Sequence, residues 1–241
     1  MMENNFRIDI IGKGNVGSHL YKAMSPKADV KLIDSRSLKG LRPDSNLYIV
    51  SVTDSVINEI VKKIHPLVSD KSLIVHTSGS APLQILEDLH PLIGVFYPLQ
   101  TFTKNSELNY SEIPVFLETN NGESEKIIDK IATIWEGKTY YMDSEKRKDL
   151  HIAAVFACNF VNHLWTLSSK YLSSNGLKFE YIIPLIIETT NKIKHMTPEQ
   201  AQTGPAVRRD FEILRNHEQK LSENKQLLEI YKLLSNSIIN S

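Results

Sequence analysis

Residues 6–20 read FRIDIIGKGNVGSHL, an apolar run that reaches Gly12, Gly14 and Gly17 at G-x-G-x-x-G spacing and passes straight into a helical pattern. A strand, a glycine-rich turn and a helix in that order leave few folds open. Glycine at the first position permits a tight turn, at the second lets a pyrophosphate approach the backbone, and at the third lets helix and strand pack closely. Asn15 and Val16 open the helix, whose free N–H groups and dipole favour a negative charge.

Six further β-rich runs follow: DVKLID, NLYIVSV, SLIVHTS, LIGVFYP, IPVFLET and TYYM. Helical segments separate most of them, and several runs are apolar almost throughout, as strands covered on both faces should be. The pattern predicts an α/β fold with a Rossmann-type, doubly wound, mostly parallel sheet. Past the charged stretch from Ser144 to Asp149 only helical periodicity continues. We therefore expect a dinucleotide-binding domain over residues 1–145 and a smaller all-α domain over 146–241, suited to substrate binding or dimerisation.

Composition narrows the function. Lysine plus arginine and aspartate plus glutamate number 28 each, so no global field favours nucleic acid or an anionic membrane. The single cysteine, Cys158, reads as a packing residue and excludes an intrachain disulfide framework. The first residues lack a secretory pattern, and the longest apolar stretch, HIAAVFACNFVNHLW, is interrupted by Asn159, Asn162 and His163. The expectation is a soluble, cytoplasmic protein with no nucleic-acid or membrane partner. No zinc signature occurs among the eight histidines, so no metal is expected.

The second strand ends LIDSRSLKG, and Asp34 lies 20 residues after Gly14 (34 − 14), where an acidic residue holds the ribose hydroxyls of NAD. Ser35 and Arg36 follow at once, and a guanidinium flanked by hydroxyls suits a 2′-phosphate. The balance favours NADP and leaves NAD open. The third strand ends in Ser51, Val52 and Thr53, beneath the expected adenine and nicotinamide bridge. Capping by Thr53 or Asp54 is the competing reading there.

Ligands in such sheets sit beyond the carboxyl ends of the strands. Two ends are unusually polar: His76 to Ser80, including Ser78, and Tyr97 to Thr101, including Gln100. His76 is either a packed, hydrogen-bonded residue or one near the substrate. In the helical half, His151 and Asn159 lie about two turns apart, and Asn159 and His163 share a face. That face is expected to look inward with its polar atoms partnered, because unsatisfied burial costs about 1–3 kcal/mol each. The segment TGPAVRRDF predicts a cap at Thr203 and Gly204, Pro205 in the first turn of a new helix, and Arg208 and Asp210 in that turn or just beyond. An anionic ligand or a local Arg–Asp pair would suit that placement equally.

Taken in order, IGKGNVGSHL, SRS, HTSGS, YPLQTF, HIAAVFACNFVNHL and TGPAVRRD resemble the Rossmann-like family known as domain of unknown function 2520. The resemblance runs from about residue 6 to about residue 220. That family is similar in plan to pyrroline-carboxylate reductase, 6-phosphogluconate dehydrogenase and the deazaflavin-dependent NADP oxidoreductases. The resemblance implies an NADP-dependent oxidoreductase, with Gly12, Gly14, Gly17, Ser35 and Arg36 on the cofactor. It also implies that His76, Ser78, Gln100, His151, Asn159, Thr203, Arg208 and Asp210 surround the active cleft. The apolar stripe of the C-terminal segment LLEIYKLLSNSII is expected either to cover its own domain or to meet a second subunit, and the resemblance adds a homodimer through the helical domain as an option.

Two positions depart from the family pattern. Tyr97 stands where histidine precedes PLQ, and Arg209 stands where glycine separates the arginine from the aspartate. The related dehydrogenases also carry a lysine on the helix beginning at His151, and none is expected to face the cleft here. The resulting expectation is hydride transfer to or from a small polar, anionic substrate, with His151 as proton donor, Asn159 orienting the reacting atom and Arg208 holding the anionic group. The alternative is an NADP-binding or sensing protein without redox turnover.

Overall fold

The computed structural model describes residues 6–241. Its sheet grows outward from β1 (Arg7–Ile11), whose residues beyond Arg7 are all buried. On one side lies β2 (Asp29–Ile33), and on the other β3 (Leu47–Val50), followed by β4 (Leu73–His76), β5 (Ile93–Pro98), β6 (Val115–Thr119) and β7 (Thr139–Tyr141). All seven strands expected from the sequence form, in the order β2-β1-β3-β4-β5-β6-β7. Neighbours pair in parallel except β5 and β6, which run antiparallel with Tyr97 opposite Phe116. The chain from Leu99 to Pro114 holds only a short 3₁₀ turn, and an antiparallel neighbour needs no crossover helix.

Side chains alternate between two apolar layers, as strand geometry requires. Leu47 and Ile49 of β3 face the layer containing Leu20 and Met24 of α1 (Asn15–Met24) and Ile128, Ile131 and Trp135 of α3 (Gly122–Trp135). Tyr48 and Val50 face the layer containing Ile57, Ile60, Val61 and Ile64 of α2 (Ile57–Ile64). A buried ion pair lies at this core. Asp9 has no exposed surface, and its carboxylate accepts from Arg42 Nε at 2.7 Å, Arg42 N at 2.8 Å and Ser45 Oγ at 3.0 Å.

The strand order reverses direction around β1, which places the glycine turn after β1 and the end of β3 side by side at the carboxyl edge, the usual ligand position in such sheets. Helix α4 (Ser144–Ala154) follows β7 and runs through a π-helical turn, Val155–Phe160, into α5 (Val161–Ser174). The chain divides into two compact units after Cys158, so α4 belongs with the sheet. The helix from Ser144 to Ser174 contains an 18-residue window of mean hydropathy 1.3, none of it buried, and by length and composition alone could cross a membrane. The continuous helix thus meets a criterion that its interrupting asparagines and histidine had been expected to deny it.

The second unit adds α6 (Ile183–Lys192), α7 (Pro198–Ala201), α8 (Phe211–Lys220) and α9 (Lys225–Asn240). Each of the last three has a side-chain cap: Thr197 with Gln200 in a reciprocal box, Asp210 accepting from Ile213 N, and Asn224 accepting from Leu227 N. Its buried residues, among those described, are Ala206, Leu214 and Leu221.

Candidate functional site

Three glycines shape the turn after β1, each for a different steric reason. Gly12 has φ +120°, and a Cβ there would stand 2.0 Å from the Ser51 carbonyl oxygen. At Gly17 a Cβ would stand 2.0 Å from the Gly12 carbonyl oxygen, so α1 can seat only on a bare backbone. Gly14 meets nothing within 4 Å and faces open space. It is also the N-cap residue of α1, and no side chain caps that helix. The first-turn N–H groups and dipole of α1 therefore serve the open side of the loop, an arrangement that fits a diphosphate. Asn15 donates from Nδ2 to the Phe102 carbonyl at 3.1 Å, tying the start of α1 to the loop after β5, while Val16 packs on the core.

Asp34, at the end of β2, spends its carboxylate on the following loop. Its Oδ1 accepts from Arg36 N at 3.1 Å and Ser37 N at 3.2 Å, and these backbone donors hold its pKa below the ordinary carboxylate value. Ser35 is half-buried and Arg36 is exposed, with no ion pair among the described residues. Lys13 and Arg36 both act electrostatically on Asp34, so two positive charges converge beside the end of β2. Sequence reasoning passed over Lys13, although a lysine between the first two glycines of the motif was the signal. Ser51 is buried and donates from its N–H to the Ile11 carbonyl at 2.8 Å, and Val52 packs on the second apolar layer. Thr53 occupies an N-cap position, but its side chain caps nothing. Capping by that hydroxyl is thus removed as the competing account.

At the end of β4 the expected polar cluster proves to be largely framework. His76 is wholly buried; its Nδ1 accepts from Ser78 N at 3.2 Å, which puts the proton of the neutral ring on Nε2, and that nitrogen has no well-formed hydrogen bond among the described residues. Burial, reinforced by the Arg147 charge and opposed by the Pro82 carbonyl, pulls its pKa down to about 3. A neutral imidazole with no exposed surface argues against the expected role as a group that meets substrate. Ser78 accepts from Ser80 N at 3.0 Å and Ala81 N at 2.9 Å, closing the turn. Gln100 is exposed, and its Oε1 accepts from Thr101 N at 2.7 Å.

The chemistry gathers instead on Tyr97 and His151. The Tyr97 hydroxyl lies 3.0 Å from His151 Nδ1, with the two rings edge to face at 6.0 Å between centroids. Burial pushes the phenol pKa up to about 12, so Tyr97 is a neutral hydroxyl at physiological pH. His151 keeps partial exposure. Gly79 makes this pair possible, because a Cβ there would stand 2.7 Å from both His151 Nδ1 and Tyr97 Cζ. One helical turn before His151, the wholly buried Arg147 pairs with Glu118 and donates to the Ala81 carbonyl at 2.7 Å. Ser144 Oγ donates to Glu118 Oε2 at 2.8 Å and accepts from Leu83 N at 2.9 Å. This network fixes α4, and with it His151, onto the turn that follows β4. Arg147 was missed because its charged surroundings read as a domain boundary; the i, i+4 relation to His151 was the available signal.

Residues of the second unit follow other rules than expected. Asn159 and His163 are exposed rather than inward-facing, and the π-helical turn breaks the α-helical spacing that related Asn159 to His151. Cys158, the last residue of the first unit and expected to pack, is also exposed. No helix begins at Pro205. Residues 205–209 form a turn closed by Asp210 N to the Pro205 carbonyl at 2.9 Å, and α8 starts at Phe211 with Asp210 as its cap. Gly204, at φ +110°, and Arg209, at φ +53°, supply the left-handed backbone of that turn, which explains why the family pattern has glycine where Arg209 stands. Thr203 and Arg208 are exposed, and Arg208 and Asp210 form no ion pair among the described residues.

The family model for a domain of unknown function, DUF2520, matches residues 113–238, more than half of the chain. The chain belongs to this family. It is similar to a candidate NADP oxidoreductase from Bacteroides fragilis, at 36% identity and TM-score 0.92, with 99% of each chain covered. Two solved structures of lower identity share the fold. A protein from Thermotoga maritima is 21% identical, covers 96% of each chain and has TM-score 0.72; NADP-bound pyrroline carboxylate reductase from Plasmodium falciparum is 15% identical, covers 98% of this chain and 99% of its own, and has TM-score 0.58. No curated protein matches the chain.

Proposed function

We propose that this protein is an NADP-dependent oxidoreductase acting on a small polar, anionic substrate. The observation that carries the reading is the uncapped start of α1 behind Gly12 and Gly14, beside a loop that Asp34 organises so that Arg36 is left at its tip. Those residues fit a dinucleotide: backbone N–H groups for the diphosphate, and Lys13, Ser35 and Arg36 for a 2′-phosphate. NAD remains the second choice of cofactor, since a carboxylate stands at the ribose position. When bound, the nicotinamide supplies hydride exchange. As general acid His151 acts in its protonated form, with Nδ1–H donating to the Tyr97 hydroxyl oxygen and Nε2–H given to the substrate, which returns the ring to neutral imidazole. Arg147 and Glu118 hold that helix in place.

Calorimetric titration tests the cofactor half of the reading. NADPH should bind, and Arg36→Ala should weaken NADPH at least about tenfold while leaving NADH little changed, the signature of a lost charge-assisted phosphate contact. No association of either coenzyme at millimolar concentration would end the proposal. Absorbance assays at 340 nm against imine, keto-acid and hydroxy-acid panels then test turnover. His151→Ala should depress turnover far more than NADPH affinity. One observation favours the non-redox alternative: Lys148, on the same helix, pairs with Glu145 at 2.7 Å. NADPH binding with no turnover across the panels would select that alternative.

We further propose a cytoplasmic homodimer formed by the helical unit. α5, α6 and α9 contain no buried residue, while Tyr181, Leu185, Ile187 and Leu233 are each more than half exposed. Exposed apolar side chains of this kind are what a partner subunit would cover, and a standard interface takes about 800 Å² from each partner. Sedimentation should give a dimer, and Leu185→Asp with Leu233→Asp should give monomer. A monomeric wild type, or partition into lipid vesicles, would overturn this assembly.

A further inference from the structure

A cluster of side chains of metal-ligating type lies at the opposite edge of the sheet, where β4 and β5 begin. His65 follows α2, Asp70 lies in the turn before β4, and His90 precedes β5. His65 Nδ1 and His90 Nδ1 are 3.0 Å apart, and a carboxylate oxygen of Asp70 completes a set of three donor atoms all within 4.8 Å of one another. Two ligands of a tetrahedral zinc, each about 2.0–2.1 Å from the ion, stand at a similar separation of about 3.3 Å.

Ring orientation adds an independent argument. His90 is buried, and its Nε2 lies 2.8 Å from the Ser72 carbonyl, which can only accept. The proton of the neutral ring is thereby fixed on Nε2, and the Nδ1 lone pair is aimed at His65. A backbone carbonyl on the far nitrogen is the usual outer support of a metal-ligating histidine. The two histidines stand 25 residues apart, which fits no short zinc signature and explains why sequence analysis expected no metal.

We propose that His65, Asp70 and His90 bind one divalent cation of the zinc class, with water completing the coordination. Imidazole pairs with a single carboxylate favour zinc, cobalt or nickel over magnesium or calcium. Lying away from the carboxyl edge, the ion would clamp the α2–β4 connection to the start of β5, supporting the fold and taking no part in proton transfer.

The test uses the full chain, stripped of metal with chelator and titrated with Co²⁺ by visible absorption and with Zn²⁺ against a chromophoric competitor. One equivalent should bind at micromolar affinity or tighter, with d–d bands of a four- or five-coordinate ion, and Zn²⁺ should raise the melting temperature. His65→Ala and Asp70→Asn should each weaken binding at least about tenfold and remove the thermal shift while NADPH affinity stays unchanged. Asp70 is exposed, so its variant is expected to fold even if a histidine variant does not. Absence of binding, or binding that survives Asp70→Asn in protein with an unaltered circular dichroism spectrum, overturns the site.

Discussion

The sheet unit and the helical unit treat their apolar residues in opposite ways. β3, β4 and β5 are buried from end to end and covered by helices on both faces. The helical unit buries Ala206, Leu214 and Leu221 and leaves Leu185 and Leu233 exposed by 65% and 71%. A sheet with two apolar layers closes its own core, whereas a short run of amphipathic helices has stripes that need an outside surface. Stability in this chain should therefore be concentrated in the first unit, and association in the second.

The comparison breaks most readily at the buried charge. Asp9→Ala removes the buried acceptor for Arg42 and Ser45 and leaves a nearly buried guanidinium with only the exposed Asp29 carboxylate as its ion-pair partner. We expect a loss of about 3–5 kcal/mol in urea unfolding, and a loss below about 1 kcal/mol would mean the core does not depend on this pair.

Acid provides the next test. His76 titrates near 6.5 when unfolded and near 3 when folded, so between those values the unfolded chain binds the extra proton and stability falls as pH drops. From pH 6.5 to 5 the loss should reach roughly 2 kcal/mol, and His76→Gln should flatten that slope. A slope unchanged in His76→Gln would assign the acid sensitivity elsewhere.

Smaller effects sharpen the contrast from the helical side. Arg209→Gly relieves a left-handed backbone and should stabilise by about 1 kcal/mol in thermal melts. Leu233→Gln should shift the unfolding free energy of dilute protein by under about 0.5 kcal/mol while weakening self-association. A cost of about 2–5 kcal/mol there would instead mark Leu233 as a core position and remove the distinction between the units.

The sheet was legible because its signals are local: seven apolar runs and a glycine turn declare themselves without tertiary information. Gly12, Gly14 and Gly17 could likewise be picked out from spacing, although the contact that requires Gly12 is with Ser51 at the end of another strand. Tyr97 and His151 were named from the sequence as separate candidates, but their pairing was not, because 54 residues separate them and a glycine on a third segment makes the room. Arg147 went unnamed, and His76 was left open between packing and substrate, for one reason. Charge and polarity in sequence suggest solvent or substrate, and only packing reveals that both are enclosed. The helix expected at Pro205 failed because a left-handed residue was not foreseen at Arg209, where arginine gives no hint of it.

Gly79 has a consequence for how sequences of this family can vary. Since a single added methyl would strike both rings of the Tyr97–His151 pair, positions 79, 97 and 151 cannot drift independently. A combinatorial library over the three should show strong epistasis: alanine at 79 rejected beside the native pair, and tolerated once both rings are exchanged for shorter side chains.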